Sequence, residues 1–382
     1  MYLRQIFRNR GSTVYFLLCL KLETLAEPSL KHTQKYIVSR NDCIEVFIIH
    51  NTMLEIFIFS IALCIIVLIT KRILLRSKLQ SLKNKHVVIT GGSSGIGKCV
   101  AIEAAASGAN VTLIARDVKK LESAVSEVKK HCLNHEDQKV QYISLDVSEN
   151  YDEIEKVLHG AEDEIGPISM LVNCAGMAIC GRLEDTSVND IKYLLNLNFL
   201  GTLFPIKAVI SRMKGRGEGR IVIVASQAAM LGIYGYTVYS STKFALRGLA
   251  ESLHMEVKPY NISVTLSLPP DTDTPGFANE EKSKPMETRL ISQSAGIVSP
   301  EVVAKQIMKD ALTGNFYSTV GSEGFMLTTL CAGMAPVSSV LELITQVSLM
   351  GIMRLVSVHY LMSFHRIIRK CMKTRNQTKK SE

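Results

Sequence analysis

HVVITGGSSGIGKCVAIEAAASGANVTLIAR, residues 86–116, decides the fold. Two short β-branched runs, HVVIT (86–90) and NVTLIA (110–115), flank a glycine-rich turn and the alanine-rich helical stretch KCVAIEAAASGA. The octet TGGSSGIG (90–97) stands where a strand ends and a helix begins. There, Gly91, Gly95 and Gly97 let the backbone turn tightly and approach a pyrophosphate seated on the helix N-terminus. A purely structural turn is the alternative, and the strand–turn–helix setting argues against it.

Four further apolar runs follow: VQYISLD (140–146), ISMLVN (168–173), RIVIVA (220–225) and ISVTLSL (262–268). They are near-continuously apolar and separated by helical patterns. This predicts an α/β fold with a doubly wound parallel sheet covered on both faces. Position 116, at the end of the second strand, bears on the nucleotide. An acid there binds a ribose 2′-hydroxyl, whereas the planar fork of Arg116 suits a 2′-phosphate, favouring NADP(H) over NAD(H). A solvated arginine is the plainer alternative.

YSSTK (239–243) puts Tyr239 and Lys243 on one face of a helical pattern. An ammonium beside a phenol favours the phenolate and lowers its pKa from about 10. An isolated pair at this spacing has little meaning. Here it accompanies TGxxxGxG, NCAG (173–176), Asn198 in NFLG, and Ser226 after the fifth strand. In that order and spacing the chain resembles the short-chain dehydrogenase/reductase family. The resemblance implies a Rossmann-like sheet of about seven strands and a tetrad of Asn198, Ser226, Tyr239 and Lys243. Tyr239 would give a proton to a ketone, Ser226 would bind its oxygen, Lys243 would tune the phenol and hold ribose hydroxyls, and Asn198 would hold a water. It also implies cofactor contacts from Gly91, Ser93, Ser94, Gly95, Ile96 and Gly97, from Asp146 and Val147, and from Asn173, Ala175 and Gly176, with Tyr239 and Lys243. Two departures are visible: Cys174 replaces the usual second Asn of NNAG, and Pro269-Pro270 replaces a Pro-Gly.

Within that family, PPDTDTPGF (269–277), KPMETRLIS (284–292), SQAAMLG (226–232), GLAESLHMEVKPYN (248–261) and GMAPV (333–337) resemble the members that reduce long-chain sphingoid ketones. Such a resemblance implies NADPH, a lipid substrate carrying an ammonium beside its ketone, and the cytosolic face of the endoplasmic reticulum. Asp271 and Asp273 are the candidate partners of that ammonium, with turn formation or helix capping as the alternative. A steroid or retinol dehydrogenase of the same family, or a catalytically silent Rossmann scaffold, are the competing readings.

The ends of the chain bear on location. The net charge of +9 sits in residues 71–85 and in the tail from Arg366, each +6, leaving −3 elsewhere. Each basic stretch follows an apolar one, which suits an anionic membrane surface rather than nucleic acid. Residues 53–70, with fourteen uncharged residues from 56 to 69, read as a membrane helix, though a buried core helix is the alternative. Positive-inside reasoning puts residue 71 onward in the cytosol. Residues 1–52 form an N-terminal extension, and translation could equally start at Met53. Residues 71–85 read as a linker, 86–323 as the reductase domain, 324–365 as one or two membrane-associated helices, and 366–382 as a basic cytosolic tail. The apolar C-terminal region has a second reading, as a helix packed on the sheet or on a partner subunit. KKSE at the C-terminus resembles a dilysine retrieval signal. Nine scattered cysteines without a CxxC pair exclude a disulfide framework and offer no metal site. Oligomeric state is open, a homo-oligomer included.

Overall fold

The computed structural model describes residues 81–293 and 296–381. The extension 1–52, the segment 53–70 expected as a membrane helix and most of the basic linker lie outside the described residues, as do the side chains of Asn376, Lys379 and Lys380.

The chain alternates strand and helix: β1 (His86–Thr90), α1 (Gly95–Ala106), β2 (Asn110–Ala115), α2 (Val118–Lys129), β3 (Val140–Ser144), α3 (Tyr151–Ile165) and β4 (Ile168–Asn173). After β4 come α4 (Val188–Leu194), a π-helical segment (Leu195–Leu200), α5 (Gly201–Arg216), β5 (Gly219–Val224), α6 (Thr237–Val257) and β6 (Ile262–Leu268). The remainder is α7 (Pro275–Glu280), α8 (Met286–Ser292), α9 (Pro300–Thr313), β7 (Tyr317–Thr319), α10 (Gly321–Leu330) and α11 (Val340–Ser381). All neighbouring strands are parallel, in the order β3-β2-β1-β4-β5-β6-β7. The winding reverses between β1 and β4, so a crevice opens at the carboxyl ends of those strands.

Period-two alternation assigns each strand residue to a face. Val87, Ile89, Val111 and Leu113 pack under α1, α2 and α9, with Val100, Leu121 and Ile307. Val88, Ile114, Leu171 and Ile223 pack on the opposite face under α3, α5 and α6, with Leu158, Val209 and Leu246. The result is three layers, and Leu171, fully buried, is a position where truncation to alanine costs about 2–5 kcal/mol.

Polar residues fix the helix starts. Asp117 accepts from the Lys120 amide, Asn150 from Asp152 and Glu153, Ser187 from Asp190, and Thr274 from Phe277. Each satisfies an amide that a helix start otherwise leaves open. Buried Glu162 ties α3 to α5 through Arg212 and Arg216, each at 3.0 Å, and accepts the Ile168 amide at 2.8 Å.

Two described helical stretches are long and apolar enough to cross a membrane, Val188–Arg216 and Val340–Arg375. The first is half buried inside the fold as α4, the π segment and α5. The apolar window of the second is only 6% buried. The region expected as one or two apolar helices followed by a tail is short α10 and then α11, one helix of 42 residues that continues through the basic tail.

Candidate active site

The glycine turn is fitted to its neighbours. Gly91 and Gly95 take the left-handed backbone, φ +67° and +53°, which disfavours any residue with a Cβ. A Cβ on Gly91 would stand 2.7 Å from the Ala175 nitrogen, and one on Gly97 would stand 2.4 Å from the Gly91 oxygen. Glycine therefore lets the loop after β4 lie directly on the turn after β1. Thr90 secures it, its Oγ1 accepting the Ala175 amide at 3.3 Å and its carbonyl the Cys174 amide at 3.1 Å. Beyond the turn, α1 begins without a side-chain cap, so its first amides point free into the crevice. Ser93, Ser94, Gly95 and Ile96 line that mouth with Gly91 and Gly97. A cradle kept open by Gly91, Gly95 and Gly97 and ending on a helix N-terminus without a side-chain cap fits a dinucleotide pyrophosphate.

The cradle opens into a cavity of about 610 Å³. Ser226, Tyr239 and Lys243 line it with Val147, Ala175 and Gly176. Tyr239 and Lys243 lie one turn apart near the start of α6. Ser226 follows β5 in extended backbone and caps a 3₁₀ turn by accepting the Ala228 amide at 3.1 Å. Lys243 is buried, donates to the Val224 carbonyl at 3.3 Å, and has its nitrogen 5.6 Å from the Tyr239 ring centre. Burial pushes the Lys243 ammonium down to about 8. Burial, then the Glu280 charge, hold the Tyr239 phenol above the usual range, while the Ser226 hydroxyl pulls the other way.

Asn198 lies behind the cavity in the π segment, where the extra residue per turn rotates its side chain inward. Its Oδ1 accepts the Met177 amide at 2.9 Å, and its Nδ2 donates to the Met177 carbonyl and to Thr242 Oγ1, both at 3.0 Å. It braces the loop after β4 against α6. Asn173 is buried beneath the floor, donating to the Val222 carbonyl at 3.2 Å and leaving its Oδ1 without a partner.

At the far end, Asp146 accepts Ser148 N and Oγ at 3.0 and 2.6 Å. Burial works against its charge, but the Ser148 bonds and the Arg116 cation together hold its carboxyl below the usual range. Arg116 Nη1 lies 3.3 Å from Asp146 and 3.1 Å from the Tyr193 hydroxyl. Half its side chain is exposed at the cavity rim, with Lys120 beside it.

The wall facing Tyr239 comes from the loop after β6. The Pro269 carbonyl accepts the Gln227 amide at 3.1 Å, and Val298 pins the next turn through Asp271 and Asp273 backbone bonds of 2.9 Å each. Thr274 then reaches back to within 3.0 Å of where a Gly95 Cβ would stand. Asp271 lines the cavity, whereas Asp273 is exposed and does not. Asp271 also has a partner: the buried Lys284 Nζ lies 3.7 Å from it, 3.0 Å from Glu280 and 2.5 Å from Glu281. Glu280, also in the wall, accepts from the Tyr236 hydroxyl in a short hydrogen bond. Three carboxylates thus share one ammonium in the wall that faces Tyr239.

Glu280, Lys284 and Tyr236 are site residues that the sequence reading does not single out. Tyr236 precedes Tyr239 by one turn and Lys284 opens KPMETRLIS, but nothing local distinguishes them. Residues of α10 and α11, among them Glu323, Met326, Arg354 and Phe364, complete the cavity's outer mouth.

Residues 85–285 match the short chain dehydrogenase family model. The chain is 54% identical over 299 residues to a 3-ketodihydrosphingosine reductase of Bos taurus, covering 78% of this chain and 90% of the relative. It is 50% identical over 309 residues to a 3-dehydrosphinganine reductase of Danio rerio, covering 81% and 93%. Among solved structures, the L-sorbose reductase of Gluconobacter frateurii, complexed with NADPH and L-sorbose, aligns with a TM-score of 0.56 at 25% identity. That alignment covers 63% of this chain and 97% of the reductase. With its parallel seven-stranded sheet, its glycine cradle and its Ser226, Tyr239 and Lys243 in one cavity, the chain belongs to the short chain dehydrogenase family.

Proposed function

We propose that this protein reduces the ketone of 3-dehydrosphinganine to the alcohol of sphinganine, using NADPH, at a membrane surface. One observation carries the reading: Ser226, Tyr239 and Lys243 share a cavity whose wall is net acidic and whose mouth is mostly apolar, with Met326, Leu327, Leu330, Leu361 and Phe364 beside Glu323 and Arg354. A sphingoid ketone offers a carbonyl, an adjacent ammonium and a long hydrocarbon chain, one group for each surface. A steroid or retinoid ketone brings no cation to the acidic wall.

NADPH, when bound, supplies the hydride. Ser226 holds the ketone oxygen by hydrogen bonding, and Tyr239 gives its phenolic proton to that oxygen as the carbonyl carbon is reduced. A phenol kept protonated by burial and by Glu280 is in the correct state to donate. Lys243 favours the phenolate left behind and reaches the ribose hydroxyls, and solvent restores the proton. Asn198 keeps α6 and the loop after β4 in register, so that these groups stay aligned. Gly91 through Gly97 take the pyrophosphate, Asp146 and Val147 the adenine side, and Arg116 the 2′-phosphate.

Asp271 and Glu280 take the substrate ammonium. Their cluster with Glu281 and Lys284 carries two more negative than positive charges, and both side chains line the cavity. Asp273 is left to shape the loop. The basic segments, the dilysine-like end and the apolar segments favour the endoplasmic-reticulum membrane, with the catalytic domain facing the cytosol. A glycan on Asn376 would contradict that orientation.

The deciding assay uses the purified full-length chain, with NADPH against NADH and 3-dehydrosphinganine against a steroid ketone. Preference for NADPH and the sphingoid ketone supports the reading, and preference for the steroid ends it.

A further inference from the structure

Resting on that reading, we infer that the substrate's hydrocarbon chain lies in the seam between α10 and α11, which leads from the catalytic cavity to the bilayer.

The cavity does not close above Tyr239. It continues between Met326, Leu327 and Leu330 of α10 and Tyr360, Leu361 and Phe364 of α11. These six side chains are apolar except for one phenol, and they begin where a substrate's ketone would leave its chain. The same cavity touches α11 at 354, 357, 360, 361 and 364, positions three or four apart that define one helical face.

The helix is fastened to the catalytic domain at both ends. Before its start, Ser338 Oγ accepts the Phe316 amide at 2.9 Å, and Arg247 donates to the Cys331 carbonyl at 2.8 Å. Near its end, Arg375 forms a short ion pair with the buried Glu287 of α8. From 340 to 375 the helix runs about 53 Å at 1.5 Å per residue. Its inward side includes the buried Gln346 and Ser357, together with Phe364 and Arg375. Fastened to the domain before its start and near its end, and packed on α10 and α8, this helix presents its remaining face outward.

Its outward side carries Ile344, Val347, Leu355 and Met362, half to three-quarters exposed. The last turns add the exposed Arg366, Arg369, Lys370 and Lys373. An apolar stripe ending in cations fits the hydrocarbon boundary and anionic headgroups of a lipid surface. Because the seam opens at this helix, a lipid chain can enter it edge-on and bring the ketone to Tyr239 while part of the chain stays in the bilayer. Every methylene kept out of water during transfer avoids the cost of exposing apolar surface.

The test uses the full-length protein in vesicles of phosphatidylcholine and phosphatidylserine, with NADPH. A sphingoid ketone bearing a mid-chain diazirine is photolysed on the wild-type protein, and the labelled peptides are mapped. Labels within 321–331 and 354–364 are expected, and labels confined to α7, α8 or the sheet would overturn the inference. Separately, Leu361→Trp, which narrows the seam, is compared with the wild type on long-chain and short-chain amino ketones. The ratio of kcat/KM for long over short ketone should fall at least tenfold. An unchanged ratio with both ketones still reduced overturns the seam alone. If the wild type reduces neither ketone, the reading of the reaction fails, and this inference with it.

Discussion

Lys243 Nζ stands 5.6 Å from the centre of the Tyr239 ring and reaches the Val224 carbonyl at 3.3 Å, buried in the cavity lining. Burial brings its ammonium down to about 8. Lys243 is therefore charged at neutral pH and loses its proton as pH rises through about 8. Tyr239, held above the usual phenol range, stays protonated there. The charged form is the better donor to ribose hydroxyls, so NADPH affinity should be flat below that value and fall several-fold by pH ~9.5. Titration calorimetry across this range checks it. Lys243→Met should bind NADPH more weakly and show no step.

Gly97→Ala is expected to remove cofactor binding. The added methyl would sit 2.4 Å from the Gly91 oxygen, which is backbone and cannot swing aside. Either α1 or the turn must move, and both hold the pyrophosphate. Tryptophan is absent from the chain, so tyrosine-to-NADPH energy transfer is a suitable readout. Wild-type affinity in the alanine variant would contradict the fit of the cradle.

A preference for NADPH over NADH is expected to depend on Arg116. Its guanidinium lies at the rim, half exposed, and its hydrogen bonds to Asp146 and Tyr193 leave further N–H groups for a phosphate. A charge-assisted contact of this kind is worth about 1.5–3 kcal/mol. Arg116→Ala should raise KM for NADPH roughly 10- to 100-fold and leave KM for NADH within threefold. Equal changes for both cofactors would remove Arg116 from phosphate recognition.

The acidic wall predicts a charge-selective defect. Asp271→Asn and Glu280→Gln each remove one negative charge from a cluster that Lys284 only partly neutralises. Activity on the amine substrate should fall about 30-fold or more, since removing one partner of a buried charge pair costs about 2–5 kcal/mol. Activity on the same ketone without its amine should fall less than threefold. A parallel loss on both ketones would show that the cluster only shapes the loop.

Much of this was legible in the residues, for identifiable reasons. HVVIT, NVTLIA, ISMLVN and ISVTLSL coincide with β1, β2, β4 and β6 end to end, because strands buried on both faces read as unbroken apolar runs. VQYISLD overshoots: Leu145 and Asp146 leave the sheet so that Asp146 can meet Arg116. RIVIVA is shifted by one, with β5 starting at Gly219 and ending at Val224. β7 is three residues at the sheet edge, too short for any periodicity to register.

The site divided in the same way. The glycine turn, Ser226, Tyr239 and Lys243 stand in local motifs and meet in one cavity. Glu280 and Lys284 matter through tertiary contact with Asp271 and Tyr236, which no spacing along the chain encodes. Arg354 and Ser357 look like interruptions of an apolar helix, yet they turn inward to the cavity while apolar neighbours face out.

The most direct test of the account is Tyr239→Phe, assayed with NADPH and 3-dehydrosphinganine. The substitution deletes one oxygen and keeps the ring packed against Tyr236. The account predicts that kcat falls by about a thousandfold or more while the NADPH dissociation constant stays within threefold. Turnover within tenfold of the wild type would contradict Tyr239 as the proton donor.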